Sequence, residues 1–391
     1  MIALLLRLKR FCGIIAGMVF FLSGIVKLMD PVGAGLVMSE YYQFLHIGFM
    51  DFSAKFMGTL FAFAETILGA AVITGVWRRI TAKVILGFQI FFTLLTLALV
   101  IFNPEMDCGC FGEAIHLTHM QTFVKNLILL ALILIYIIPL THLGETRKRK
   151  YVSFSLITVS VLAFTIYSWL YIPMVDFTAY KPGAKLVAGA TIDPEDMFET
   201  TFTYEKAGER KTFTLDDLPD STWTYVSTDT HINEEALDQF VELSFYKPET
   251  GGYLDTLATK GKVMVVSVYD TDMNARSWKD IKGFMGRADN AGFTTILLCS
   301  STKGIPSNLR EHAYISDYKT LISLNRSNGG VTYFCDGTLI RKWARISAPD
   351  KSELKETYET DKTEVLIGRE SKGSLTLQGF LLYVFAVMLL L

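Results

Sequence analysis

Residues 84 to 103 and 151 to 175 contain no charged side chain. A stretch of that length can enter lipid only if it closes its backbone hydrogen bonds within itself, as a helix does. Twenty residues in a helix span roughly 30 Å, the thickness of the hydrocarbon layer. Four further runs qualify: 11 to 29 with Lys27 as its one charge, 56 to 76 with Glu65 as its one charge, 126 to 141 bordered by Lys125, and 375 to 391. Six spans are therefore expected. The last barely reaches across, so the chain is expected either to be truncated there or to end as a tail anchor. Composition agrees, with 51% hydrophobic and 19% charged residues among 391, more apolar than a soluble domain of this size. Arg7, Lys9 and Arg10 before the first run give it the look of a signal peptide. Lys27-Leu28-Met29-Asp30-Pro31 is not a small-residue cleavage site, however, so the run is expected to stay as a helix.

Basic residues set the orientation. They gather at Arg7, Lys9 and Arg10, then Arg78, Arg79 and Lys83, then Arg147, Lys148, Arg149 and Lys150. These groups all fall on one side of the predicted topology, and the positive-inside rule makes that side the cytoplasm. Loops 30 to 55 and 104 to 125, and the long segment 176 to 374, are then outside. The chain reads as a multi-pass protein of the inner, cytoplasmic membrane, with a large soluble segment in the periplasm or outside and with lipid as its first partner. A net charge of -2 argues against nucleic acid as a partner.

Loop 104 to 125 holds Asp107-Cys108-Gly109-Cys110-Phe111-Gly112, two thiols one residue apart. Gly109 permits a sharp bend between them, and a bridge closed over so short a loop is expected to be strained and easily reduced. Facing outward, the pair sits where disulfides form. Three readings stand: thiol exchange by Cys108 and Cys110, a structural turn, or a two-sulfur, two-nitrogen metal site completed by His116 and His119. The last has awkward sulfur spacing. No Gly-rich phosphate loop, haem attachment motif or closed metal set indicates a cofactor or a metal.

Lys27 and Glu65 are costly inside lipid and need an account. Glu65 is predicted about nine residues, roughly 13 Å, from the outer end of its span, and Lys27 about one turn below its own. Lys27 can snorkel outward while Glu65 is protonated, the two can form a structural ion pair, or they can make a proton or quinone-head-group site beneath the cysteine loop.

Ser23-Gly24-Ile25-Val26-Lys27-Leu28-Met29-Asp30-Pro31, Glu65 with Gly69, and the Cys-Gly-Cys-Phe-Gly segment together resemble the DoxX/MauE group of four-helix membrane proteins. The resemblance covers about residues 8 to 142, and the cysteine segment is its most specific part. MauE takes its name from methylamine utilisation, where the protein is thought to help mature or export a disulfide-rich periplasmic dehydrogenase subunit. The resemblance implies a redox-associated membrane protein; read from the residues themselves, Cys108 and Cys110 are its expected redox pair, with Glu65 and Lys27 as intramembrane support if the helices bring them near the loop. It does not imply methylamine as substrate.

Residues 176 to 235 are expected to form a small β module. Alternating stretches at 198 to 204 and 211 to 215 flank a turn at Lys206-Ala207-Gly208, and Thr222 to Val226 supplies a third strand. Residues 238 to 368 carry a fuller pattern: a buried strand at Val263 to Tyr269, a helix from Ala275 to Ala288, a second buried strand at Phe293 to Cys299, a helical piece near Ser307 to Ala313, and a hairpin at Val331 to Trp343 with an Asp336-Gly337 turn. That order resembles a thioredoxin-like domain. The family's Cys-x-x-Cys would fall in Asp270 to Arg276, where Met273 and Arg276 occupy the cysteine positions, and the proline before the hairpin threonine is Val331. The resemblance therefore implies a catalytically silent binding or scaffold version. Cys299 and Cys335 are expected on strands flanking the central one, about 9.6 Å apart, too far for a bridge. They and Cys12 read as buried thiols.

The expected fold is thus a membrane four-helix bundle (8 to 142) plus two further transmembrane helices (151 to 175 and 375 to 391), with an extracytoplasmic α/β thioredoxin-like domain and a small β module. The leading functional expectation is thiol/disulfide exchange that supports maturation of extracytoplasmic proteins, with a separate redox partner or client. The competing one is a non-enzymatic membrane scaffold or client-binding protein. A transporter or quinone-interacting subunit that uses Glu65 is a third.

Overall fold

The computed structural model describes the chain apart from residues 1, 107, 116, 139–145, 147, 188–197, 207–208, 214–216, 221, 233–239 and 391. Asp107, His116, Arg147, the Ala207-Gly208 turn, the ends of the 126 to 141 and 375 to 391 runs, and the boundary near 235 thus lie outside the described residues. The chain divides into two compact units, Met1–Phe177 with Arg369–Leu391, and Thr178–Gly368.

The first unit is helical: α1 (Ile2–Met29), α2 (Pro31–Phe44), a 3-10 turn (Gly48–Ser53), α3 (Ala54–Thr74), α4 (Arg78–Phe102), a short extended segment β1 (Cys110–Glu113), α5 (His119–Ile137) and α6 (Lys148–Leu170). Five described helices are long and apolar enough to cross a bilayer, counting the 3-10 turn with α3. The sixth expected span differs. Its described apolar part is Leu375–Val387, roughly 20 Å at the helical rise against about 30 Å of hydrocarbon. Arg369, Glu370 and Lys372 close the apolar stretch on its N-terminal side.

α1, α3, α4 and α5 share one core, from Ala16 and Phe20 through Val72, Ala82 and Ile85 to Leu129 and Ile133. α6 and the Leu375–Val387 stretch pack on α1 and α3 through a second core, with Phe164 stacked on Phe380 at 4.9 Å. α1 and α3 are the closest neighbours, and glycine is the reason. A Cβ on Gly24 would lie 2.2 Å from Thr66 Oγ1, and one on Gly69 would lie 2.5 Å from the Gly17 carbonyl. Between lipid-embedded helices, where no water is expelled, such small residues allow the backbone approach that makes packing favourable.

Segment 30 to 55, expected to be a loop, contains a helix. Asp30 Oδ1 accepts from the Gly33 amide at 2.9 Å and Pro31 occupies the first turn, so α2 starts with both a cap and a pre-set φ. α2 rests against the first turn of α3, where a Cβ on Gly58 would come within 2.4 Å of the Ala34 carbonyl.

The second unit holds two sheets. In the smaller, β3 (Phe198–Lys206) lies between β4 (Glu209–Phe213) and β5 (Thr224–Ile232), all antiparallel. The larger has eight strands, to which β2 (Lys185–Leu186), β6 (Phe240–Val241), β7 (Phe245–Tyr246), β8 (Lys262–Val268), β9 (Thr294–Cys299), β10 (Ala313–Ser316), β11 (Gly330–Cys335) and β12 (Thr338–Trp343) contribute in the order β6-β2-β12-β11-β8-β9-β10-β7. Lys185 and Leu186, grouped with the small module in the sequence, pair in this larger sheet.

Central β8 runs parallel to β9 and antiparallel to β11. Both its faces are covered: Met264, Val266 and Val268 meet α7 (Ala275–Asn290), while Val263 and Val265 join the core containing α9 (Tyr318–Leu324). This is why its sequence is a continuous apolar run rather than an alternating one. A single turn α8 (Ser307–Arg310) precedes β10, and α10 (Lys351–Glu359) and α11 (Lys362–Leu390) follow the hairpin. Asp336 and Gly337, both at positive φ, make the tight β11–β12 turn. Cys299 is opposite Val268 and Cys335 opposite Lys262. The two thiols thus sit beside opposite ends of β8, farther apart than strand spacing alone implies.

Candidate functional site

The Cys-Gly-Cys loop is fastened from three helices. Ser23 Oγ on α1 donates to the Cys110 carbonyl at 2.6 Å, and the Tyr41 hydroxyl on α2 donates to the Cys108 carbonyl at 2.9 Å. Lys125 on α5 places its ammonium 5.0 Å from the centre of the Phe111 ring. Burial, and after it the neighbouring Cys110 and Cys108, pushes the Tyr41 hydroxyl above its ordinary value, so it remains a donor. Between the cysteines Gly109 has φ +59, and a Cβ there would lie 2.2 Å from Val37 Cγ1. Position 109 is therefore closed to other residues by backbone conformation and by space alike.

The sulfurs differ in access: Cys108 is 5% exposed, whereas Cys110 is half-buried. No disulfide joins them in this structure. Of the two histidines considered as metal ligands, His119 directs Nδ1 to Asn103 Oδ1 at 3.2 Å and Nε2 to the Met106 carbonyl at 3.0 Å. His116 is outside the described residues, and among those described no group of three metal-ligating side chains occurs.

Beneath the loop is a cavity of about 310 Å³, lined by Cys108, Gly109 and Cys110, by aromatic side chains from α1 to α4, and by Lys27 and Glu65. Lys27 Nζ donates to Glu65 Oε2 at 2.7 Å, with side chains 15% and 9% exposed. Lys27 and Glu65 thus form an ion pair, one of the arrangements open in the sequence. Glu65 comes level with Lys27 because α3 begins above the end of α1. Gly24, one turn before Lys27, packs at the level of Ala62 and Thr66, which puts Glu65 beside Lys27. The two turns of α3 above that level are covered by α2.

All four residues expected at the site, Cys108, Cys110, Glu65 and Lys27, line this one cavity. Three further contributors lie outside them. Gln89 on α4 donates to the Asn126 carbonyl at 2.9 Å, and Asn126 on α5 donates to Thr96 Oγ1 at 3.1 Å, a polar link along one wall. Both carry a sequence signal, as uncharged polar side chains inside apolar helices, where such groups need partners. Tyr41 carries no such signal. Its position depends on α2, which the Asp30-Pro31 cap could have revealed.

Comparison with known proteins finds matches to parts of the chain. Residues 3–139 match the family model for methylamine utilisation protein MauE, and residues 198–235 match a domain of unknown function, DUF8463. No curated protein and no solved structure matches the chain. The part of the chain over residues 3–139 is thus MauE-like, and with five helices able to span a bilayer the chain is a lipid-associated, multi-pass membrane protein.

Proposed function

We propose that this protein carries out thiol/disulfide exchange at its membrane surface through Cys108 and Cys110, and so supports the maturation of extracytoplasmic proteins. The observation that carries the reading is the fastened loop: two thiols of unequal access, held by their carbonyls over a cavity. In the exchange, a client thiolate attacks the Cys110 sulfur of the bridged loop, and Cys108 leaves and takes a proton. A second client thiolate then attacks the client sulfur of the mixed disulfide and releases Cys110. The client gains its disulfide and the loop two electrons and two protons.

The surroundings fit this role. Arg10 donates to the Val72 carbonyl near the end of α3, and Arg78 to the Gly75 carbonyl, so these basic residues cluster at the end of the bundle remote from the cysteine loop. Under the positive-inside rule the loop faces out, with 178–368 on the same side of an inner membrane. That second unit we read as a thioredoxin-like scaffold. Where such a domain would carry its thiols it has Met273, partly packed on the core, and exposed Arg276. The redox partner is then a separate protein.

Intact cells provide the test. Cys108→Ser, which keeps the accessible Cys110, is expected to accumulate a mixed disulfide with a client, and Cys110→Ser is not. If neither variant traps a partner, and alkylation finds the wild-type pair in one fixed redox state throughout growth, the reading fails.

A further inference from the structure

We infer that the cavity beneath the cysteine loop binds a membrane-soluble quinone, which accepts the two electrons of the Cys108–Cys110 dithiol. The inference rests on the exchange reading and supplies what it lacks, an oxidant. Each client disulfide leaves the loop as a dithiol. None of the other three cysteines lines the cavity, so the electrons must leave the chain through a molecule that reaches the pair.

Access narrows the class of that molecule. Phe91, near the middle of α4, and Leu45, at the end of α2, both line the cavity and are each 50% exposed. The cavity wall is thus continuous with the lipid-facing side of a membrane-spanning helix. A ligand can enter sideways from the bilayer while the loop closes the top.

The lining narrows it further. Phe20, Phe61, Phe91 and Phe92 surround the space with aromatic faces and edges that suit a planar ring. Its volume lies at the small end of the usual range for ligand sites, about 300 to 1,000 Å³, so it accommodates a head group whose tail runs out between helices. An acyl chain alone would find no use for the polar floor. There Lys27 spends one ammonium donor on Glu65 and retains others for a carbonyl oxygen. Glu65 is the sole carboxylate among the described lining residues.

The step balances. Both S–H bonds break and one S–S bond forms between Cys108 and Cys110. The quinone takes the two electrons, and its two carbonyl oxygens take the two protons and become hydroxyls. Lys27 gives one proton to the oxygen nearer the floor and regains one from a thiol through the Glu65 carboxylate, while the other thiol proton goes to the second oxygen.

The test uses the purified full-length chain, reduced and freed of reductant, mixed without oxygen with decylubiquinone, whose fully substituted ring resists direct thiol addition. Expected are bleaching of one quinone per protein, conversion of Cys108 and Cys110 to a form that no longer alkylates, and photolabelling of lining peptides on α1 and α4 by an azido-quinone. Glu65→Gln should slow the bleaching about 100-fold, the scale of lost acid–base assistance. Leu95→Trp, placed on the partly exposed cavity wall, should block labelling if Glu65→Gln fails to fold. The Cys108→Ser/Cys110→Ser double variant should still be labelled but should not bleach quinone.

If the wild-type pair exchanges with a model disulfide yet neither bleaches decylubiquinone nor is labelled in the cavity, the inference falls and the exchange reading stands. If quinone is reduced but no protein disulfide ever exchanges with the pair, the inference stands and the exchange reading falls.

Discussion

Lys27 Nζ and Glu65 Oε2, 2.7 Å apart on α1 and α3, form an ion pair in the wall of the cavity beneath the cysteine loop. Removing one partner of a buried pair strands the other charge, at a typical cost of about 3–5 kcal/mol, whereas replacing both with apolar groups can be neutral. Glu65→Ala is therefore expected to lower resistance to unfolding in detergent strongly, and Lys27→Met combined with Glu65→Leu to restore most of it. A double-mutant cycle that shows no coupling would remove the pair from the stability account.

Gly109→Ala has two costs. A left-handed conformation costs a non-glycine residue about 1–2 kcal/mol, and the new methyl collides with Val37 Cγ1. The variant should displace the loop and raise alkylation of Cys108 sharply. Val37→Ala in the same chain removes the collision and leaves the conformational cost, so partial recovery is expected. Full recovery would mean that φ at this position is unimportant.

The inequality between the thiols should be measurable. Cys110 is expected to alkylate quickly in the folded protein and Cys108 slowly. Tyr41→Phe or Ser23→Ala each removes one fastening, a hydrogen bond worth about 1 kcal/mol. Either should raise Cys108 labelling roughly fivefold without changing that of a control cysteine. Equal labelling of both thiols in the wild type would contradict the burial difference.

Much of the helical unit was legible because lipid enforces simple rules. Uncharged runs mark α4 and α6, and Lys27, Glu65 and the two cysteines stand out against them. What the runs do not encode is register. Whether Glu65 meets Lys27 depends on Gly24 and Gly69 letting two backbones touch, and on α2 extending the bundle above the end of α1. Tyr41 shows the same limit, because a tyrosine in a polar connection has no special status until the helix beneath it is placed. In the second unit β8 and the Asp336-Gly337 turn were readable from local pattern. The short strands β2 and β6 were not, since each has only two residues and pairs with partners distant in sequence.

Cys299 offers a control within the same molecule. Burial alone pushes its thiol up to about 12, so it should resist alkylation at pH 8 in the folded protein and react on denaturation. The sign for stability follows. The folded state holds this proton more tightly than the unfolded chain, whose thiol titrates near its ordinary value of about 9. The contribution is complete below pH 9 and is lost as pH rises toward 12. Cys299→Ala should flatten that part of the unfolding profile, and an unchanged slope would refute the assignment.

Ser23 and Tyr41 grip the peptide oxygens of the cysteines. Bonds to thiols would have to be broken and remade each time the pair gained or lost electrons, and the loop would shift with its oxidation state. Fastened by its backbone, it can keep one position through a full cycle, so turnover carries little reorganisation cost. Under the proposed exchange, a chain built this way would behave as a fixed electrical contact and not as a moving switch.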